Sequence, residues 1–305
     1  MQLFATKQHV FQVGGVTIGG QGKEYPTVLV GSMFYSGDRL VSDPTKGIFD
    51  RRMAKELLDR ELEFSQMTGN PRIIDIIAET AEAMRRYIDF IVEAVDSPFL
   101  IDSPFPKVRL DAVAYLSQLG LVHRAIYNSI AVDCTPEELE FIKDHGVRSA
   151  VILVFDAEGV RPDARLALLK GTEERAGLIT LAVNAGLENL LIDVGVLDMP
   201  SISWSAQAIW RVKEELGYPC GCAPANALYT WKRKRQLTQQ AFLARAAVPI
   251  TFSIAFGADF IFYGPISNSE WAYPACALMD GLISYGARIG GIKPATKQHP
   301  LFLMF

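Results

Sequence analysis

NLLIDVGV, residues 189–196, runs Leu190, Leu191 and Ile192 together without a polar break, closes the run on Asp193 and follows it with Gly195. A strand with one wet face alternates apolar and polar residues, whereas a continuous run is what a strand covered on both faces needs. Further stretches of this kind are TVLVGSMF (27–34), RIIDII (72–77), PFLIDS (98–103), RAIYNSI (124–130), SAVILVF (149–155) and ADFIFYG (258–264), with CGCA (220–223) the weakest. Between them lie helical patterns such as DRRMAKELLDRELEFSQMTG, AETAEAMRRYIDFIVEAV and SAQAIWRVKEELG, several of them stopped by a glycine. CTPEE opens another, with Thr135 as cap and proline in the first turn. Strict alternation of strand and helix predicts right-handed βαβ units on a parallel sheet, and eight of them predict a closed (β/α)8 barrel, the TIM-barrel member of the α/β class. A doubly wound sheet would place G-x-G-x-x-G after its first strand, and GSMFYSGDRL does not supply it.

Outside the alternation, FQVGGVTIGG (11–20) pairs two short strands around Gly-Gly, a hairpin signal; residues 1–24 are expected to plug the bottom of the barrel. Residues 35–47, YSGDRLVSDPTKG, form a long polar loop after the first barrel strand, a candidate lid or docking element. No repeat or linker divides the chain, so residues 1–305 are expected to be one domain.

The 305 residues are half apolar and carry a net charge of only -4, with a pI near 5.7. Such a chain can bury a sizeable core, and it lacks the basic field that a nucleic-acid partner requires. Four cysteines, two of them in a C-x-C, suit reduced thiols in a cytoplasmic setting better than a disulfide framework. The start, MQLFATKQHVFQVGGV, has no export signal pattern. AAVPITFSIAFGADFIFYGP is broken by Pro249, Gly257 and Asp259, so no membrane insertion is expected.

In such barrels the chemistry stands at the C-terminal ends of the strands. The polar residues there are Asp75 and Glu79, Asp102 and Ser103, Asn128 and Ser129, Asp156, Asp193 and Asp198, and Asn226, with Gly264 and Pro265 closing the last strand. Each alone could cap a helix or brace a turn. Thr135 already caps the helix after RAIYNSI, which leaves Asn128 free of that duty. Asp102, Asn128 and Asp193, all embedded in apolar strands, together predict a convergent polar site that a ligand satisfies. Carboxylates beside a carboxamide suit an amidine-like edge such as a pterin's, because an aspartate accepts from a 2-amino group and a ring N–H.

FLIDSP, IYNSI, LLIDVGV and PANAL, in that order, are similar to the pterin-binding (β/α)8 methyltransferases, relatives of dihydropteroate synthase. GGVTIGGQ, PTVLVGSMFY, FDRRMAKELL, MTGNPRIIDI, YNSI and DCTPEE closely resemble the MtrH family, the MtrH subunits of tetrahydromethanopterin S-methyltransferase, and its bacterial, folate-using cousins, from about residue 10 onwards. The resemblance implies that Asp102, Asn128 and Asp193, with Ser129 and Asp75 beside them, hold the pterin, and that Asn226 is the hydrogen-bonding orienter of N5. GCAPANAL departs from the G-x-S-N stretch of related corrinoid methyltransferases at that point. The resemblance further implies methyl transfer between N5 of tetrahydrofolate and the cobalt of a corrinoid (cobalamin) carried by a partner protein, in a methylamine or glycine betaine demethylation route. It implies a homodimer as well, for which HPLFLMF (299–305) would suit an interface, although the stretch could equally fold back onto the barrel. Residues 35–47 and TWKRKRQ (230–236) are candidates for docking the corrinoid protein, the latter also for a folate's glutamate tail, although a basic run of this kind is more often simply a solvated helix face.

Three alternatives stand beside that reading. One is a tetrahydromethanopterin-dependent methyltransferase component. A second is a pterin synthase, which would place a diphosphate-binding Lys and Arg near the last two strands; Lys232 and Arg233 lie a helical turn late. The third is a non-catalytic barrel that only docks a corrinoid protein. Cys220 and Cys222 have no histidine near them in sequence and read as small buried residues rather than metal ligands. His123 is expected at the bottom of the barrel, and His9, His145 and His299 fall in terminal or loop contexts.

Overall fold

A computed structural model describes residues 3–156, 159–232 and 237–305. An antiparallel hairpin comes first, β1 (Val10–Val13) paired with β2 (Val16–Gly19) through Gly14 and Gly15, whose φ values of 51° and 84° are those a two-residue turn demands. The closed barrel follows: β3 (Val28–Met33), β6 (Arg72–Ile77), β7 (Phe99–Asp102), β8 (Ala125–Ile130), β9 (Ser149–Leu153), β10 (Asn189–Asp193), β11 (Cys220–Cys222) and β12 (Phe260–Pro265). Neighbouring strands are parallel all the way round, and β12 closes on β3.

The connections are helical: α1 (Arg51–Thr68), α2 (Ala81–Ala94), α3 (Pro106–Leu119), α4 (Pro136–Asp144), α5 (Pro162–Lys170) with α6 (Leu178–Asn184), α7 (Ile202–Glu215), and α8 (Pro224–Lys232) with α9 (Gln239–Ala255). After β12 come α10 (Ser269–Ala287) and α11 (Pro300–Leu303). Asp50, Thr80, Thr135 and Thr238 cap α1, α2, α4 and α9 by accepting from an amide in the first turn. Thr135 does so at Glu138 N, as its sequence context predicts. Among the described residues, no helix is long and apolar enough to cross a membrane.

Alternate residues of each strand face opposite ways, and the two faces are packed separately. Leu29, Ile74, Ile76, Phe99, Ile101, Tyr127, Ile152 and Ile192 belong to the large cluster between barrel and helices. Val28, Val30, Ile73, Leu100, Ile126, Val151, Leu191, Phe260 and Phe262 fill the barrel interior, joined there by Val13 and Ile18 of the hairpin. The hairpin is therefore the expected plug. Its Gly14 abuts Pro98 and its Gly19 abuts Pro219, just before β7 and β11 begin.

Residues 35–47 depart from the polar loop read in the sequence. A small antiparallel ribbon, β4 (Val41–Asp43) with β5 (Ile48–Phe49), spans the β3–α1 connection. Buried Leu40 anchors it, and the Phe49 ring packs edge-on to Phe34, Tyr87 and Phe90. The apolar residues that pin it, Leu40, Val41, Ile48 and Phe49, are too few and scattered to show as strands in the sequence.

Candidate functional site

One step further along each inward-facing register, towards the C-terminal ends, the apolar filling stops. Val30 is followed by Ser32, Ile73 by Asp75, Leu100 by Asp102, Ile126 by Asn128 and Leu191 by Asp193, each two residues on and therefore on the same inner face. Ser32 and Asp75 are register partners, as are Asp102 and Asn128. Ser32 Oγ donates to Asp75 Oδ2 at 2.8 Å, and the Asn128 side chain also hydrogen-bonds Asp75. Asp193 Oδ1 accepts from Gly195 N at 2.7 Å. Asp75 Oδ1 is buried without a hydrogen-bond partner among the described residues.

Burial makes the ionised form of these carboxyls costly. Asp75 is pushed well above the ordinary carboxylate range by burial first and by the neighbouring Asp102 second. Burial raises Asp102 to about 7, with Arg109 opposing the rise and Asp193 adding to it. Asp193 is raised to about 6 by burial, against the Gly195 amide and Arg165. Three acceptor-rich groups with an unused oxygen among them fit a ligand edge that brings N–H donors.

Behind this layer Arg109 of α3 gathers three partners: Nε to Tyr127 Oη at 3.0 Å, Nη1 to Ser103 O at 2.5 Å and Nη2 to Glu138 Oε1 at 2.9 Å. Tyr127 also donates to Glu138. Other polar residues at the strand ends have the local roles open to them. Ser103 Oγ accepts from Phe105 N, Asp198 and Ser201 brace the start of α7, and Glu79 is exposed beside the α2 cap. Asp156 lies in the β9–α5 connection. Cys220 and Cys222 are fully buried on the outer face of β11, with the Cys222 thiol pushed up to about 12 by burial. His123 is exposed in the short turn before β8, at the hairpin end of the barrel.

Above the layer opens a mouth cavity of about 480 Å³, lined by Ser32, Tyr35, Asn226, Tyr229, Gly264 and Pro265 among others. Asn226 is thus separate from the buried aspartates: it is exposed, in the first turn of α8, and reaches the site from the mouth. Ser32 belongs to both parts, bonded to Asp75 below and lining the opening above. Gly264 has φ 85°, and a Cβ there would sit 2.9 Å from Ala225 Cβ, so this wall needs a glycine. Ser129 is half-buried next to Asn128, across a cis peptide and a register shift between Asn128 and Ile130. Ser32 and Tyr229 are absent from the residues that sequence alone nominates, and Tyr35 is nominated only as the start of the 35–47 lid or docking element, not as a lining residue of the site. Inward parity from Val28 and Val30 is the signal that finds Ser32; the two tyrosines lie in connections with no comparable signal. Of TWKRKRQ, Lys232 sits 3.9 Å from the Phe242 ring centroid, and residues 233–236 lie outside the described residues.

The family model described as tetrahydromethanopterin S-methyltransferase MtrH subunit matches residues 6–295. The corresponding subunit of the tetrahydromethanopterin S-methyltransferase of Methanosarcina acetivorans is 37% identical, and that of Methanothermobacter thermautotrophicus 33%; each alignment covers 98% of both chains. Among solved structures, dihydropteroate synthase of Vibrio fischeri aligns with a TM-score of 0.62 at 12% identity, covering 90% of this chain and 98% of that one. The Xanthomonas albilineans enzyme gives 0.60 at 17%, with the same coverage. At those identities the two synthases speak for the barrel fold alone. The match across nearly the whole length decides the rest: this chain belongs to the MtrH family of tetrahydromethanopterin S-methyltransferase subunits, a methyltransferase family.

Proposed function

We propose that the chain moves a methyl group between N5 of a tetrahydropterin and the cobalt of a corrinoid held by a separate protein. The observation that carries this is the inward layer of Asp75, Asp102, Asn128 and Asp193, buried or half-buried and short of donors, beneath an open mouth. Asp102 and Asp193 accept from the 2-amino group and ring N–H of the pterin, Asn128 and Asp75 complete the edge with Ser129 alongside, and Asn226 reaches N5 from the mouth. An in-line displacement gains several kcal/mol from alignment alone, and the buried layer fixes the pterin while the opening leaves the methyl-bearing side accessible. Hydrogen bonding at N5 by Asn226 stabilises the charge that develops as the methyl group is exchanged. The corrinoid supplies a cobalt that alternately carries and releases the methyl group.

The Methanosarcina and Methanothermobacter relatives are tetrahydromethanopterin enzymes, which supports tetrahydromethanopterin as the pterin. It displaces the tetrahydrofolate expectation, which rests on resemblance to the folate-using cousins. Tyr35 and Ser36, where the β3–α1 connection begins, and Tyr229 and Thr230 of α8 line the mouth, and these two segments are suited to receive the corrinoid protein. Leu282, Tyr285 and Phe305 are 56%, 65% and 67% exposed on the α10–α11 face, a surface suited to a homodimer. We place the chain in the cytoplasm as one barrel domain.

The test is calorimetric titration of tetrahydromethanopterin and of tetrahydrofolate into the purified protein. Each mixture then receives methylcobalamin while the corrinoid spectrum is followed. Binding of either pterin with formation of its N5-methyl form supports the reading, and the tighter one names the substrate. A folded protein that binds neither sinks it.

A further inference from the structure

We propose that Arg165 of α5 is the positioning residue for Asp193: through Ser205 it anchors the carbonyl of Gly195, the residue whose own N–H holds the Asp193 carboxylate, and it places a positive charge behind that carboxylate. The consequence for binding rests on the pterin reading of the site. Arg165 is 0% exposed and is among the largest fully buried side chains of the molecule. Its Nη1 donates to Ser205 Oγ at 3.0 Å, and Ser205 Oγ donates in turn to Gly195 O at 2.7 Å. Gly195 N then donates to Asp193 Oδ1 at 2.7 Å, so the guanidinium reaches the carboxylate through the Ser205 hydroxyl and the backbone of Gly195. Gly195 has φ 69°, and a Cβ there would lie 2.8 Å from the Phe155 ring, so the turn is held from its other side as well.

The remaining donors make the case for a role beyond packing. Arg165 Nε and Nη2 are buried with no hydrogen-bond partner among the described residues. Other buried cations have a carboxylate at hand: Lys213 has Asp259 at 2.7 Å, Arg109 has Glu138 at 2.9 Å and Lys23 has Asp280 at 3.7 Å. An arginine kept solely for stability would be expected to have such a partner, since an uncompensated buried charge costs several kcal/mol. The field of Arg165 falls instead on the site. The charged and titratable groups acting on one another around Asp193 are Arg165 from α5, Asp102 from β7, and the thiols of Cys220 and Cys222 from β11. Of these Arg165 is the cation. Arg109, by contrast, acts on Asp102 and already shares its charge with Glu138.

Asp193 must be ionised to accept from two pterin N–H groups, so pterin binding is lost as pH falls through its folded pKa. Removing the cation should move that loss to higher pH. The experiment follows the Asp193 carboxylate by carbon-13 NMR of aspartate-labelled protein, its signal assigned by absence in Asp193→Asn. Tetrahydromethanopterin and tetrahydrofolate affinities are measured across the same pH range. In Arg165→Met the Asp193 titration should rise by about one pH unit or more, and affinity should fall about fivefold or more at pH 6 and about twofold or more at pH 7. Arg165→Lys should recover most of the titration shift. Ser205→Ala should weaken binding while leaving the titration near its original place. A folded Arg165→Met with the wild-type Asp193 titration overturns the proposal. Should that variant not fold, a Ser205→Ala protein with wild-type affinity overturns it instead. A wild-type protein that binds no tetrahydropterin, while Arg165→Met still shifts Asp193, would tell against the methyl-transfer reading and leave the pairing standing.

Discussion

Replacing Asp193 by asparagine should stabilise the fold at neutral pH while abolishing pterin binding. Asp193 is 7% exposed and titrates at about 6 in the folded chain, against about 3.9 for an aspartate in an unfolded one. Because the folded value is the higher, the unfolded chain loses its proton first as pH rises. Stability therefore falls between about pH 4 and pH 6 and stays at the lower level above that. About two pH units separate the values, which is worth roughly 3 kcal/mol as an upper bound. Asparagine is never charged, and its amide oxygen keeps the bond from Gly195 N. It also relieves Asp102, whose pKa Asp193 raises, so the secondary effect has the same sign. Urea denaturation at pH 4.5, 6, 7 and 8 reads the difference. Asp193→Asn should exceed the wild type by about 1 kcal/mol at pH 4.5 and by up to roughly 3 kcal/mol at pH 7. A variant that is less stable at every pH, or offset by a constant amount, would refute the electrostatic account of the site.

Four further outcomes are expected. Asn226→Ala, at an exposed position, should leave stability within about 0.5 kcal/mol of the wild type but lower kcat by about 10²-fold with KM little changed, in single-turnover and steady-state methyl transfer. Asn128→Ala should weaken tetrahydropterin binding about tenfold or more by calorimetry, with an unaltered circular dichroism spectrum. Glu138→Gln strands the buried Arg109 guanidinium and should cost about 3–5 kcal/mol in urea denaturation. Ile18→Ala, fully buried where the hairpin enters the barrel, should cost about 2–5 kcal/mol by the same assay while a folded sample keeps its pterin affinity.

The barrel is legible in the sequence because its strands are buried on both faces, so RIIDII and NLLIDVGV stand out as runs with no polar interruption until the functional end. For the same reason Asp75, Asp102, Asn128 and Asp193 can be picked from one chain: any one of them could brace a turn, but several polar side chains set in apolar runs at the same end of the barrel point to a shared site. Ser32 obeys the same parity, but serine is small and common in turns, so VLVGSM does not single it out. Chain order groups Asn226 with the strand-end set, yet CGC ends at Cys222 and α8 begins at Pro224, so the asparagine sits on a helix turn at the mouth rather than in the buried layer. Arg109 and Arg165 are not legible at all. Each lies on a helix among alternating apolar and polar residues, where an arginine reads as a solvated face, and only the packing of α3 and α5 reveals which carboxylates they stand behind.

The two ends of the barrel divide the work between them. At the N-terminal end the inward residues are Val28, Val30, Ile73, Leu100, Ile126 and Phe260, and Val13 and Ile18 from the hairpin complete them. Burying each such side chain contributes about 1.5–3 kcal/mol, and all of them are apolar, so this half has nothing to satisfy but volume. At the C-terminal end the same register delivers three carboxyls whose raised pKa values follow from how poorly the folded chain solvates them. A hairpin that seals the lower end thus offsets the cost of holding a dry, acceptor-rich surface at the upper one. The mouth cavity opens directly above that surface, so a ligand that brings N–H donors can relieve the cost. Pterin binding should therefore raise stability more at pH 7–8, where the carboxylates are charged, than at pH 5, as the rise in Tm with saturating pterin would read at each pH.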